Sequence, residues 1–97
     1  MYVYIITKRI ELVSGDDTLN VTKKYGTKGF EILKIANNEI TAKNIIDTYY
    51  NAFVSNFEKN NSLVSSIKNY HSANICYKTN ETTYVIYLSI EKNEVKE

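Results

Sequence analysis

At 97 residues, of which 43% are hydrophobic and 24% charged, the chain is too short to divide a core in two and too apolar to remain disordered. One small α+β domain spanning residues 1–97 is therefore expected. The formal net charge of +1 excludes a global field drawing the protein onto nucleic acid or an anionic membrane, so any such affinity has to be local.

Residues 2–13, YVYIITKRIELV, place Tyr2, Tyr4, Ile6, Ile10 and Leu12 on one face at period two, which predicts a strand. SGDD breaks it at residues 14–17. Residues 17–25 then read two ways. At period two Leu19, Val21 and Tyr25 share a face, as in a hairpin partner of the first strand. As a helix, the segment has Asp16 or Asp17 for an N-cap, Lys23 and Lys24 at its negative end and Gly26 as the residue after its C-cap. The number of end signals favours the helix.

FEILKIA, residues 30–36, is the next predicted strand. From Thr41 onward Ile46, Tyr49, Tyr50, Phe53 and Phe57 recur at spacings of three and four, which predicts an amphipathic helix. NNSLVSSIKNYH is expected to add a helical turn or two, with Ser62 as cap and Leu63, Ile67 and Tyr70 on one face. SANICYKTNETTYVIYLSIEKN closes the chain as a hairpin around TNET. The expected order is β-α-β-α-β-β, a two-layer sandwich with helices on one face of a mostly antiparallel sheet. A strand at residues 17–25 makes it β-β-β-α-β-β instead.

The stretch KKYGTKGFEIL, with the Tyr-x-Tyr start, resembles a family of short bacterial and phage domains of unknown function whose core reads roughly L-N-x-L-G-x-x-G-W-E-L. Tyr2 and Tyr4 match the start, and Tyr25, Gly26, Gly29, Phe30, Glu31 and Ile32 match the core, Phe30 standing for its Trp. The resemblance covers about the first 36 residues. It implies a β-α-β beginning and no particular activity. The opening MYVYII and the later KKYG also look superficially like the CRISPR adaptation nuclease fold, whose first strand ends in a metal-binding aspartate. Here that region reads IITKRIE, so the nuclease activity is not carried over.

Few residues suggest chemistry. Gly26 and Gly29 precede a strand rather than a helix, the reverse of a phosphate loop, and read as a left-handed helix cap and an entry into the sheet. Asp16 and Asp17 are the only adjacent acids and suffice as a turn and helix cap. Cys76, the only cysteine, offers neither a disulfide nor a metal spacing. His71 and Cys76 would be the one imaginable base and nucleophile, without a third orienting group. No cofactor, no metal and no enzymatic activity are expected.

Asn, Ile, Lys and Tyr number 12, 12, 11 and 9, a bias towards AT-rich codons. By elimination the sequence predicts a protein-interaction module, with Tyr49, Tyr50 and Tyr87 as partner-binding residues, acting on a larger protein or as a homodimer. A phage or mobile-element protein that binds and inhibits a host defence protein is one concrete form. The alternative is a nucleic-acid-binding domain centred on Lys23, Lys24, Lys28 and Lys34, whose charges could neutralise phosphates. No apolar run approaches the roughly 20 residues that span a bilayer, and the first residues lack a signal-peptide pattern. A cytoplasmic protein without membrane contact is expected, in the host cytoplasm if the source is viral.

Overall fold

The computed structural model describes residues 1–13 and 24–96, with the side chains of residues 24–28 excepted. Within them the chain forms β1 (Tyr2–Val13), β2 (Lys24–Ala36), α1 (Glu39–Lys59), β3 (Leu63–Lys68), β4 (Ser72–Thr79) and β5 (Thr82–Glu94). The strands make one five-stranded antiparallel sheet in the order β2-β1-β5-β4-β3, and α1 lies on one face of it.

The α+β class and the antiparallel sheet with its helix on one face agree with the sequence. The element order differs, being β-β-α-β-β-β among the described residues. Most of the ambiguous segment 17–25 lies outside them, but Lys24 and Tyr25 already belong to β2. Gly26 is consequently a strand residue opposite Leu12 rather than a helix cap, and Gly29 sits in mid-strand opposite Ile10. A Cβ at Gly29 would meet nothing within 4 Å.

The register explains why β2 carries no regular alternation before Phe30. Its pairing with β1 shifts at Ile6/Thr7, Ile10/Glu11 and Leu12/Val13, each time leaving one extra residue on β2. Such bulges spoil strict alternation and raise the local twist. By contrast β1 and β5 pair from Tyr2↔Glu94 to Val13↔Thr83 without a shift, and both alternate cleanly.

Residues 63–68 are the second correction. They form β3, not further helix. The helix stops because Asn61 takes a left-handed φ of 57°, donating to the Glu58 carbonyl while Ser62 donates to that of Phe57 at 2.8 Å. These paired bonds make a Schellman ending, which uses Ser62 to close α1 instead of starting a new turn. Leu63, Ile67 and Tyr70 matched a helical spacing over too short a window. Pairing with β4, Ser66 opposite Ile75, decides the strand.

At its other end α1 is capped by Asn38, whose side chain accepts from the Thr41 amide at 2.8 Å. Its inner stripe buries Ala42 and Ile46. Ile46 meets Ala73, Ile75, Ile86 and Leu88, with Tyr49, Tyr50, Phe53 and Phe57 packed around them, while Ala42 meets Ile6 and Ala36. Even-numbered β1 and β5 residues thus face the helix, as the alternation predicts.

The β4–β5 hairpin turns on Asn80 and Glu81, with φ of 50° and 67° between the pair Thr79↔Thr82. This two-residue loop with both φ positive is the primed turn that favours Asn-Gly. Glu81→Gly relieves the left-handed strain on a side-chain-bearing residue and is expected to stabilise the fold by about 1 kcal/mol. Thermal melting checks it, and a lower melting temperature would contradict it.

Candidate functional site

Three surface regions collect side chains that could act. The first is the face of the sheet turned away from α1. The register places Val3, Ile5, Thr7, Arg9 and Glu11 of β1 there, beside Val85, Tyr87, Ser89 and Glu91 of β5. On the β2 side Ile35 stands next to Ile5, Ile32 next to Thr7 and Phe30 next to Arg9. Among the described residues no helix or strand covers this face. Phe30, Ile32 and Ile35 are 63%, 54% and 62% exposed, a run of large apolar side chains along one margin.

The middle of that face is polar, and its two central hydroxyls pair with each other. The Thr7 and Ser89 hydroxyls share a hydrogen bond of 2.8 Å. Arg9 lies 4.8 Å from the centroid of the Tyr87 ring and 3.8 Å from Glu11, with nearly half of its side chain exposed. Cys76 faces the same side, opposite Val85 and Ser65. Burial pushes its thiol above the ordinary value, offset in part by a hydrogen bond from Ser65, so it lacks thiolate character.

The second region is a groove of about 350 Å³ between α1 and the β2 margin, lined by Lys34, Thr41, Asn44, Ile45, Thr48 and Tyr49. The third is a polar cluster at the start of α1. His71 Nε2 lies 3.4 Å from Glu39 Oε1, and the Tyr70 ring meets the imidazole edge-on at 4.5 Å. Lys43 Nζ lies 4.8 Å from the Tyr70 centroid. The hydrogen bond from Tyr70 to Glu39, and the charge of that carboxylate, raise the phenol's pKa above its ordinary value. Tyr4, Ile90 and Lys92 complete a hollow of about 230 Å³. This cluster clips the turn before β4 to the helix, and the Ile90 amide donating to the His71 carbonyl at 2.9 Å fixes the same turn to β5.

The residues singled out from sequence are therefore scattered. Tyr49 lines the groove, and Tyr50 flanks the other side of α1, donating to Ser66 Oγ at 2.9 Å with Lys68 over its ring. Tyr87 lies on the opposite side of the sheet. Lys34 is exposed and joins Tyr49 in the groove. Lys24 and Lys28 lie in β2, while Lys23 lies outside the described residues. His71 faces the helix side and Cys76 the open side, so the imagined dyad does not converge. Among the described residues no group of three or more His, Cys, Asp or Glu could hold a metal ion, and no helix is long and apolar enough to cross a membrane.

Arg9, Phe30, Ile32, Ile35 and Glu91 are not among the partner-binding residues that the sequence predicts, Phe30 and Ile32 figuring there only in the family motif. The odd-position pattern of β1 could have suggested the first, but the bulges hide the face assignment of β2.

On the helix side Tyr77 stacks between Phe57 and Tyr84. Burial, then the neighbouring Tyr84 charge, raise its pKa above 10.0. A pKa raised on folding contributes stability that is present below the unfolded value and lost as pH rises through the folded one. Melting temperature is thus expected to fall as pH climbs past 10, and to fall less in Tyr77→Phe. Equal losses in the two proteins would assign the alkaline sensitivity to another group.

Comparison with protein-family models, curated proteins and solved structures found no match to this chain. None of these comparisons supports the resemblance of about the first 36 residues to the short bacterial and phage domains.

Proposed function

We propose that this protein is a small, non-enzymatic protein-interaction module that docks through the open face of its sheet. The observation carrying the proposal is the exposed run Phe30–Ile32–Ile35 beside the hydrogen-bonded Thr7–Ser89 pair. Large apolar side chains contiguous on a rimmed surface are characteristic of contact sites, and aromatic and arginine side chains such as Tyr87 and Arg9 are enriched at their centres. Binding and inhibition of a host defence protein by a phage or mobile-element product is the biological form that the small size and AT-rich composition suggest. A photo-crosslinking residue at position 35, used in the cell of origin, is expected to capture protein. Capture at position 35 no greater than at the control position 59, on the exposed end of α1, would sink the reading.

A second reading is supported by one row of the sheet, where Phe30, Arg9 and Tyr87 stand side by side. Aromatic rings and a cation on an open sheet can stack and neutralise single-stranded nucleic acid. In that case retention on a nucleic-acid matrix should weaken steeply with salt and again in Arg9→Gln, which removes the cation of that row. No retention at low salt would rule it out.

A further inference from the structure

We infer that the occupant of the open face is a second copy of this chain, packed sheet against sheet about a two-fold axis that runs along the Thr7–Ser89 row. The inference rests on the docking reading above and names its partner. Three features of the face carry it.

The first is the symmetry of its charges. Arg9 lies two residues to one side of Thr7 on β1, and Glu91 lies two residues to the other side of Ser89 on the neighbouring β5. A two-fold rotation about the row between them lays each strand over its own copy and exchanges the two flanking rows. Arg9 of each copy then stands over Ile5 of the other, next to Glu91, so the two ion pairs form reciprocally, as an isologous contact requires. Arg9 keeps nearly half its side chain exposed in the single chain and has donors to spare beyond its contact with Glu11.

The second is the apolar margin. The same rotation sets Phe30 of one copy over Ile35 of the other, at both ends of the contact, and Ile32 over its own equivalent. Covering the central hydroxyls costs little, because Thr7 is already buried in the single chain and its hydroxyl pairs with that of Ser89 at 2.8 Å. A partner with a different surface would need an anion where Glu91 of the second copy supplies one.

The third is size and edge. The molecule measures 50 × 27 × 18 Å, and its broad side exceeds the roughly 800 Å² per partner that a stable interface buries. Lateral growth through β2 is opposed by its three bulges, which twist an edge away from further pairing. Face-to-face packing at the usual spacing of about 10 Å has no such obstacle.

The test is solution mass by light scattering and sedimentation from about 1 μM to about 1 mM, on the full chain and on variants whose folding is checked by circular dichroism. The wild type is expected to move from monomer to dimer with concentration. Arg9→Glu and Glu91→Arg should each weaken dimerisation at least about tenfold, and the doubly swapped protein, R9E with E91R, should regain it. Ile32→Glu should leave a monomer. A wild type monomeric throughout overturns the inference, and so does a dimer indifferent to both charge variants and to Ile32→Glu. A doubly swapped protein as weak as the single variants overturns the two-fold register. The crosslink at position 35 separates this outcome from failure of the docking reading: capture of a different protein by a monomeric chain leaves docking standing and removes the second copy.

Discussion

Ile46→Ala is expected to cost about 3 kcal/mol and to lower the melting temperature by at least about 10 °C. Ile46 is 1% exposed and is the helix residue around which Ala73, Ile75, Ile86 and Leu88 close. Two of the sheet residues it touches belong to β5 and two to β4, so a cavity there loosens α1 from both strands at once. Both small neighbours and large ones line the site, which limits how far it can collapse. The control is Ile40→Ala on the same helix: Ile40 is 73% exposed and its loss should stay within about 0.5 kcal/mol. Urea and thermal unfolding of both variants measure the difference. Similar losses for the two would mean that α1 is not held through its Ile46 stripe.

Phe57→Ala is expected to cost about 2–3 kcal/mol, somewhat under the range for a fully buried phenylalanine because Phe57 is only half-buried. Its ring stacks on Tyr77 with centroids 4.1 Å apart and planes inclined by 9°. Tyr77 in turn lies 5.3 Å from Tyr84, and Phe53 lies 6.3 Å behind Phe57. Four rings from α1, β4 and β5 thus form one aromatic ladder, and removing the second rung breaks two contacts worth about 0.5–1.5 kcal/mol each beyond their burial. The chain has no tryptophan, so its near-ultraviolet dichroism reports the tyrosines directly and should collapse in the variant. Phe57→Leu keeps most of the volume and should recover about half of the stability but not the spectrum. A full spectrum in either variant would contradict the ladder.

The sequence made α1, β1 and the β4–β5 hairpin legible because each has its own uninterrupted period and its own end signals. Ile46, Tyr49, Tyr50, Phe53 and Phe57 could belong to nothing but a helix, and the alternation in β1 correctly sent Ile6 and Ile10 to the covered side. β2 was legible only from Phe30, since the bulges before it scramble the alternation and its pairing with β1 is fixed by a partner strand rather than by local propensity. β3 was misread for a related reason: six residues with two serines carry almost no periodic signal, and tertiary pairing with β4 overrode the apparent helical spacing.

The surface was less legible than the core. Tyr87 was marked, but its neighbours across the sheet, Arg9 and Phe30, come from 78 and 57 residues earlier in the chain, and only register brings them into one row. Of the lysines adjacent in sequence over residues 23–34, Lys34 is exposed and stands beside Tyr49 in the groove along α1, on the other side of the sheet from Tyr87.

The middle strand of the sheet, β5, and its neighbour β1 are the last and the first of the described strands in chain order. A ribosome releases residues 2–13 long before their partner at 82–94 exists, so the hairpin of β1 and β2 with its helix has to wait with one long hydrogen-bonding flank and an unfilled apolar layer. Closing that gap is a contact between distant parts of the chain, which is slow compared with helix or hairpin formation. The nascent protein is therefore most exposed to misassociation just before residue 94 emerges, and a stop codon anywhere within β5 leaves a product without a middle.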